Sequence, residues 1–197
     1  MRNLKHCILI YLALTVLTGY IYPITVTIAT QLSFPDKANG SLIYKSGEIR
    51  GSKLIGQNFT GAEYFWPRPS ISDYSAMPSS ASNEGPTSEA LKQSIENRKN
   101  ELAPYIGGKI PADLLMASAS GLDPHISPEA ALAQVDHVAE ARNLSSDQKT
   151  ELENLVRQHI ERPQWGIFGA ARVNVLELNL AVDEKFGTMP RDGGKTK

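Results

Sequence analysis

Apolar residues fill the start of the chain without a break and afterwards recur only at intervals, so the pattern itself divides the sequence. Between Cys7 and Pro35 (CILIYLALTVLTGYIYPITVTIATQLSFP) there is no charged side chain. About 20 apolar residues at 1.5 Å each span a bilayer core of about 30 Å, so a transmembrane helix is predicted over residues 8–32. Pro23 falls inside this run and is expected to kink it. Residues 41–59 alternate apolar and polar on each side of Lys45-Ser-Gly47, the pattern of a β-hairpin. In Tyr64-Phe-Trp-Pro-Arg-Pro-Ser70 two prolines withhold ladder donors and three adjacent rings need cover, which predicts an ordered loop held by its aromatics. Residues 70–87 are rich in Ser, Ala, Asn, Gly and Pro and read as a long surface segment.

Helical periodicity returns further along. It predicts helices from Ser88 to Ala103, with Leu91, Ile95 and Leu102 inward, and from Pro128 to Arg142, with Leu132, Val135 and Ala139 inward. A third runs from Ser146 to Glu161 around Leu152, Leu155, Val156 and Ile160. Strict alternation from Leu176 to Val182 favours a strand, while a phase slip at Val175-Leu176 leaves room for a bulge or a helix. The predicted class is α+β, with one N-terminal transmembrane helix followed by a single extracytoplasmic α+β domain. Its boundaries are a cytoplasmic stub at 1–7, the span at 8–32, the domain at 33–186 and a polar tail at 187–197.

Flanking charge sets the expected orientation. Arg2, Lys5 and the amino terminus make one flank positive, whereas Asp36 and Lys37 cancel on the other, which places the N-terminus in the cytoplasm and the domain outside it. Thr27-Ile-Ala29 offers a small-residue cleavage site, but a signal h-region has about 7–15 apolar residues and this run is about twice that, so an uncleaved anchor in the plasma membrane is expected. Tyr20 and Tyr22 lie too near the middle of the run to act as interface anchors and are candidates for contact with partner helices.

Composition then narrows the function. Twenty Lys and Arg stand against 21 Asp and Glu, and no basic stripe with interleaved aromatics occurs, so nucleic acid is not an expected partner. The outward face of the two central helices carries Glu140, Glu151 and Glu153, which opposes reading them as a helix-turn-helix. Cys7 is the sole cysteine, so neither an intramolecular disulfide nor a cysteine-based zinc site is expected, and no metal ligand set is predicted.

One stretch concentrates reactive side chains: Ser118-Ala-Ser-Gly-Leu-Asp-Pro-His-Ile-Ser-Pro-Glu-Ala-Ala131. Ser127 suits an N-cap, Pro128 the first helical position and Glu129 the positive helix end, while Asp123 before Pro124 suits an Asx-turn beside Gly121. Geometry therefore explains the stretch without catalysis. The competing reading is a hydrolase that uses Ser120, Asp123 and His125. Leu144-Ser-Ser-Asp-Gln148 reads as a capping box, a helix start that also offers N–H groups to an anion. Gly194-Lys-Thr196 imitates the end of a P-loop, but Met189 occupies the place of its first glycine.

Five blocks taken in order carry a resemblance. After a single membrane span come Asn39-Gly-Ser-Leu42, Gly51-Ser-x-Leu-Ile-Gly-Gln-Asn-Phe-Thr60, Tyr64-Phe-x-x-Arg-Pro-Ser70, Ala117-Ser-x-Ser-Gly-Leu-Asp123 and Val173-Asn-Val-Leu-Glu-Leu-Asn-Leu-Ala181. Together they resemble the C subunit of the bacterial Kdp potassium-transporting ATPase over nearly the whole chain. The resemblance implies a non-catalytic accessory subunit of an inner-membrane complex that imports potassium with high affinity at the expense of ATP. It implies three partners: a potassium-channel-like A subunit, a P-type ATPase B subunit that is phosphorylated, and a small F peptide. It further implies roles in assembly and as a catalytic chaperone that raises the ATP affinity of the B subunit. The ATP contact of the family maps to Leu144, Ser145 and Gln148, with Ser146-Asp147 where the family signature has a double glycine. Tyr64, Phe65, Trp66 and Arg68, with Tyr20 and Tyr22 in the span, are the expected partner contacts, because aromatics and arginines dominate interface energies.

Overall fold

The computed structural model describes residues 2–45 and 47–189. Most of the polar tail, including Gly194-Lys-Thr196, and the turn residue Ser46 lie outside the described residues. By contact density the chain divides between Ser52 and Lys53, so the hairpin groups with the membrane helix.

The first unit begins with a helix that is continuous from Asn3 to Ser33, 31 residues of high hydropathy, long and apolar enough to cross a membrane. It comprises α1 (Arg2–Val16), a π-helical turn (Leu17–Ile21) and α2 (Tyr22–Ser33). The widened turn has a cause in the sequence. Pro23 cannot donate to the carbonyl of Gly19, and the preceding Tyr22 N–H reaches back five residues to Leu17 O. The expected effect of Pro23 is thus taken up as one π-turn within an unbroken helix. Thr15, Thr18, Thr25 and Thr30 donate their hydroxyls to carbonyls four residues back, at 2.7 to 2.9 Å, so these four threonines of the span are satisfied internally. A short helix α3 (Pro35–Ala38) leads into the antiparallel strands β1 (Leu42–Lys45) and β2 (Glu48–Ser52). The hairpin is shorter than the alternation over 41–59 predicts, and the register shifts between Ile43 and Tyr44.

The second unit carries α4 (Glu89–Leu102), α5 (Ala112–Leu115), β3 (His125–Ile126), α6 (Pro128–Ala133), α7 (Val135–Ala141), α8 (Ser146–Gln158), β4 (Ile160–Glu161), β5 (Arg172–Asn174) and α9 (Val175–Phe186). Its sheet is antiparallel in the order β3-β5-β4. Around it Ile126, Val138, Leu152, Val156, Val173, Leu178 and Val182 form one buried core, and Phe65 joins them from the loop before α4. The long segment between Ser70 and Thr87 contains turns and no regular element, as its composition predicts.

Local capping signals place the helix starts well. Ser88 accepts from Leu91 N, Ser127 from Ala130 N, and Ser145 and Gln148 exchange side-chain bonds to each other's backbone N–H at 3.3 and 3.0 Å. Ser145→Ala is expected to lower stability by about 1 kcal/mol, read from the denaturant midpoint of the purified chain.

Three expectations about helices and strands are corrected. The helix expected from Ser146 to Glu161 ends at Gln158, and Ile160–Glu161 pairs with Arg172–Val173 as β4. The helix expected from Pro128 to Arg142 is interrupted at Gln134, whose N–H bonds to Ala131 O while its side chain turns to the backbone of Trp66. The segment favoured as a strand from Leu176 to Val182 is helical. Only Arg172–Asn174 pairs in the sheet, and Asn174 then caps α9 by accepting from Glu177 N. The buried positions Val175, Leu178, Asn179 and Val182 have helical spacing. Because an asparagine occupies one of them, the apolar residues alone display a period of two.

Candidate functional site

The aromatic loop after Gly61 is held by side chains from several helices of the domain. Asn179, on the buried face of α9, accepts from Phe65 N at 2.8 Å and donates to Phe65 O at 2.9 Å. Gln134, at the break between α6 and α7, accepts from Trp66 N at 2.7 Å and donates to Trp66 O at 3.2 Å. Two side-chain amides thus treat successive loop residues as a neighbouring strand would. Such pairing satisfies buried backbone groups that the loop, lacking a ladder, would leave exposed to a dry interior.

Arg142 anchors the start of the same loop. Its Nε donates to Glu63 O at 2.7 Å, Nη2 to Asp183 Oδ1 at 2.7 Å and Nη1 to Gly187 O at 2.9 Å, and its guanidinium lies 5.1 Å from the Tyr64 ring centroid. Tyr64 donates its hydroxyl to Asp183 Oδ2 at 3.2 Å. Burial pushes the Tyr64 hydroxyl above its ordinary pKa, and the adjacent Asp183 carboxylate adds to the rise. Trp66 stacks on His137 with ring centroids 4.3 Å apart and donates Nε1–H to Gly61 O.

His137 is buried, its Nε2 3.4 Å from Tyr64 O and its Nδ1 without a hydrogen-bond partner among the described residues. Burial holds the imidazole below its ordinary pKa, partly offset by the Tyr64 carbonyl and by Asp136. An unfolded histidine takes up its proton near pH 6.5, before the folded one does. The contribution of neutral His137 is therefore complete above about pH 6.5 and is lost as pH falls through the lower folded-state value. Denaturant midpoints measured between pH 8 and 5 are expected to fall in that window, and to fall less in His137→Gln.

The stretch that concentrates Ser120, Asp123 and His125 forms a turn on which other segments converge. Asp123 Oδ1 accepts from His125 N at 3.0 Å, the Asx-turn expected from the sequence, and Oδ2 accepts from Arg68 Nη1 at 3.0 Å. Burial alone would raise the Asp123 pKa, but the hydrogen bonds from His125 and Arg68 outweigh it and hold the carboxyl below its ordinary value. Ser120 Oγ accepts from Leu122 N at 3.1 Å, bracing the turn. Ser70 and Ser79 donate their hydroxyls to the carbonyls of Gly121 and Ser120. Gly121 has φ +69°, and a Cβ there would meet Ser72 Oγ, so the turn requires glycine.

The structure places the candidate contact and site residues as follows. Phe65 is wholly buried, so it is a core residue and not a surface that a partner can touch; Tyr64, Trp66 and Arg68 are half-buried. Tyr20 and Tyr22 are exposed along the apolar span. Leu144, Ser145 and Gln148 sit together at the start of α8. Among the described residues, no cluster of His, Cys, Asp or Glu is arranged to hold a metal ion. Reading the sequence missed Gln134, Arg142, Asn179 and Asp183, which act together on the loop. It also missed the excursion between β4 and β5, where Trp165, Ile167 and Phe168 stand in solvent.

One helix long and apolar enough to cross a membrane, followed by a small α+β domain, defines a class: a chain with a single candidate membrane span among the described residues and a folded domain after it. The family described as KdpC, the c chain of the K+-transporting ATPase, matches residues 4–184. The potassium-transporting ATPase KdpC subunit of Dechloromonas aromatica is 48% identical over 186 residues, covering 91% of this chain and 96% of that protein. Those of Methylococcus capsulatus and Geotalea uraniireducens are 48% identical over 188 and 189 residues, covering 92% and 93% of this chain and 97% and 98% of theirs. The chain belongs to the KdpC family, and is a subunit of a potassium-transport complex of the membrane.

Proposed function

We propose that this chain is a non-catalytic subunit that holds the potassium-transporting assembly together, with its N-terminus in the cytoplasm and its folded domain on the outer face of the plasma membrane. The proposed partners are the channel-like A subunit, the P-type ATPase B subunit and the small F peptide. The orientation rests on the positive flank of Arg2 and Lys5 against the cancelling pair Asp36 and Lys37. The observation that carries the holding role is that the domain's reactive side chains are engaged in folding it. Ser120 and Asp123 brace a turn, Ser145 and Gln148 cap a helix, and Gln134, Arg142 and Asn179 bind the aromatic loop. The outcome is a shaped, rigid body on a membrane tether. Tyr20 and Tyr22 on the span, and the exposed parts of Tyr64, Trp66 and Arg68, are its proposed contacts.

A second reading follows from the family: Leu144, Ser145 and Gln148 touch ATP and raise the affinity of the B subunit. Their position at the N-terminal end of a 13-residue helix, the end that attracts anions, favours it. Against it, Ser145 Oγ and Gln148 Oε1 are already bonded to each other's backbone, and Asp147 in the first turn repels phosphate. A deletion strain grown at micromolar potassium tests these roles. His125→Ala is expected to support wild-type growth, whereas a chain ending after the span is expected to support none. Loss of growth in His125→Ala at an undiminished protein level would overturn the holding role and favour a hydrolase.

A further inference from the structure

Between β4 and β5 the chain leaves the domain in a tight excursion, Arg162-Pro-Gln-Trp-Gly-Ile-Phe-Gly169. Gln164 N donates to Phe168 O at 2.9 Å, and Gly166, Ile167 and Phe168 donate back to Pro163 and Gln164 carbonyls, which closes the turn. Its apex carries Trp165, Ile167 and Phe168, which are 88%, 78% and 60% exposed. The Trp165 and Phe168 rings meet edge to face with centroids 5.9 Å apart, so the apex is pre-shaped.

We propose that this apex docks into an apolar recess, rimmed by carboxylates, on a membrane-embedded chain of the same K+-transporting ATPase. The inference rests on the accessory role argued above and names the surface that serves it. The charge of the partner follows from the flanks. Arg157 and Arg172 are ion-paired with Glu153 and Glu161, whereas Arg162, at the foot of the apex and exposed, makes no ion pair among the described residues. A second copy of this chain would set Arg162 against Arg162, which opposes self-association. The size of the patch selects a tethered partner. Three side chains exposed to this degree present on the order of 400–500 Å² of apolar surface, as large as the main patch of many monomers. A stable encounter from solution needs about 800 Å² per partner, but a chain held beside its partner by a membrane span gains effective concentration and needs less. The fixed turn, with Trp165 at φ +51°, suits a shaped protein recess, whereas a fluid lipid surface requires no such shape.

The test uses the intact complex, purified from native membranes through a tag on this chain, with Phe168→p-benzoylphenylalanine as photo-probe. Irradiation is expected to join position 168 to another chain of the ATPase, identified by mass spectrometry next to acidic residues. In a chain carrying both Trp165→Ser and Phe168→Ser, co-purified partner is expected to fall by about tenfold or more. Met77→Ser, at an equally exposed apolar position, is expected to leave the yield unchanged. Adducts with lipid alone, adducts with a second copy, or no adduct while the partners still co-purify would each overturn the docking site and leave the accessory role standing. If the wild-type chain brings down no other chain, both fall.

Discussion

Arg142→Met is expected to be among the most damaging single changes to the domain, lowering its unfolding free energy by about 3–5 kcal/mol. The side chain of Arg142 is 2% exposed and that of Asp183 is 10% exposed, so their 2.7 Å bond is shielded from water and salt. Removing the guanidinium leaves the Asp183 carboxylate buried with, among the described residues, only the Tyr64 hydroxyl bonded to it, and strips the Glu63 carbonyl of its Arg142 donor. An unpaired buried charge, and not the modest net worth of an ion pair, sets the size of the loss. A denaturant titration of the purified chain measures it. The double change of Arg142→Met with Asp183→Leu is expected to recover a large part of the loss, because it removes the orphaned charge as well.

The second large effect belongs to Asn179. Leucine has a similar volume and would fill the same space, but it can neither donate to Phe65 O nor accept from Phe65 N. Each buried backbone group left without a partner costs about 1–3 kcal/mol, so Asn179→Leu is expected to cost about 2–5 kcal/mol despite its greater apolarity. The loss should be local as well as global. Limited proteolysis is expected to cut within residues 61–70 of the variant under conditions that leave the wild type intact. Equal protection of the two proteins would refute the pairing of Asn179 with the loop.

Sequence reading succeeded where the causes are local. The starts of α4, α6 and α8 are each written in a serine and the residues that immediately follow it, and the Asx-turn of Asp123 needs only His125 N two residues on. The membrane span is legible for the same reason, since length and apolarity act within one segment. What escaped is long-range. Asn179 and Phe65 are separated by 114 positions and Gln134 and Trp66 by 68, and no periodicity reports a side-chain amide that substitutes for a missing strand. The same asparagine disguised α9, because a polar residue in an inward position removes one of the marks of a helical stripe.

The aromatic loop was read correctly as ordered by its rings, but the direction of those rings had to come from the fold. Phe65 enters the core and Trp66 lies on His137, so burial within the domain claims surface that sequence reasoning offered to partners. The apex at Trp165 is the converse. Its apolar residues are broken by Gly166 and closed by Gly169 and extend no helical or strand stripe, a sign of a short excursion that neither the preceding helix nor the following strand could absorb.

The central claim, that the folded domain stands outside the cytoplasm and acts by holding its neighbours, is tested most directly by its sidedness. Met77 is exposed in the long surface segment, and the chain's sole cysteine is Cys7 near the N-terminus. In a chain with Cys7→Ser and Met77→Cys, a membrane-impermeant maleimide added to intact right-side-out spheroplasts is expected to label position 77 fully. Labelling that appears only after the membrane is permeabilised would put the domain beside the nucleotide pool and contradict the account.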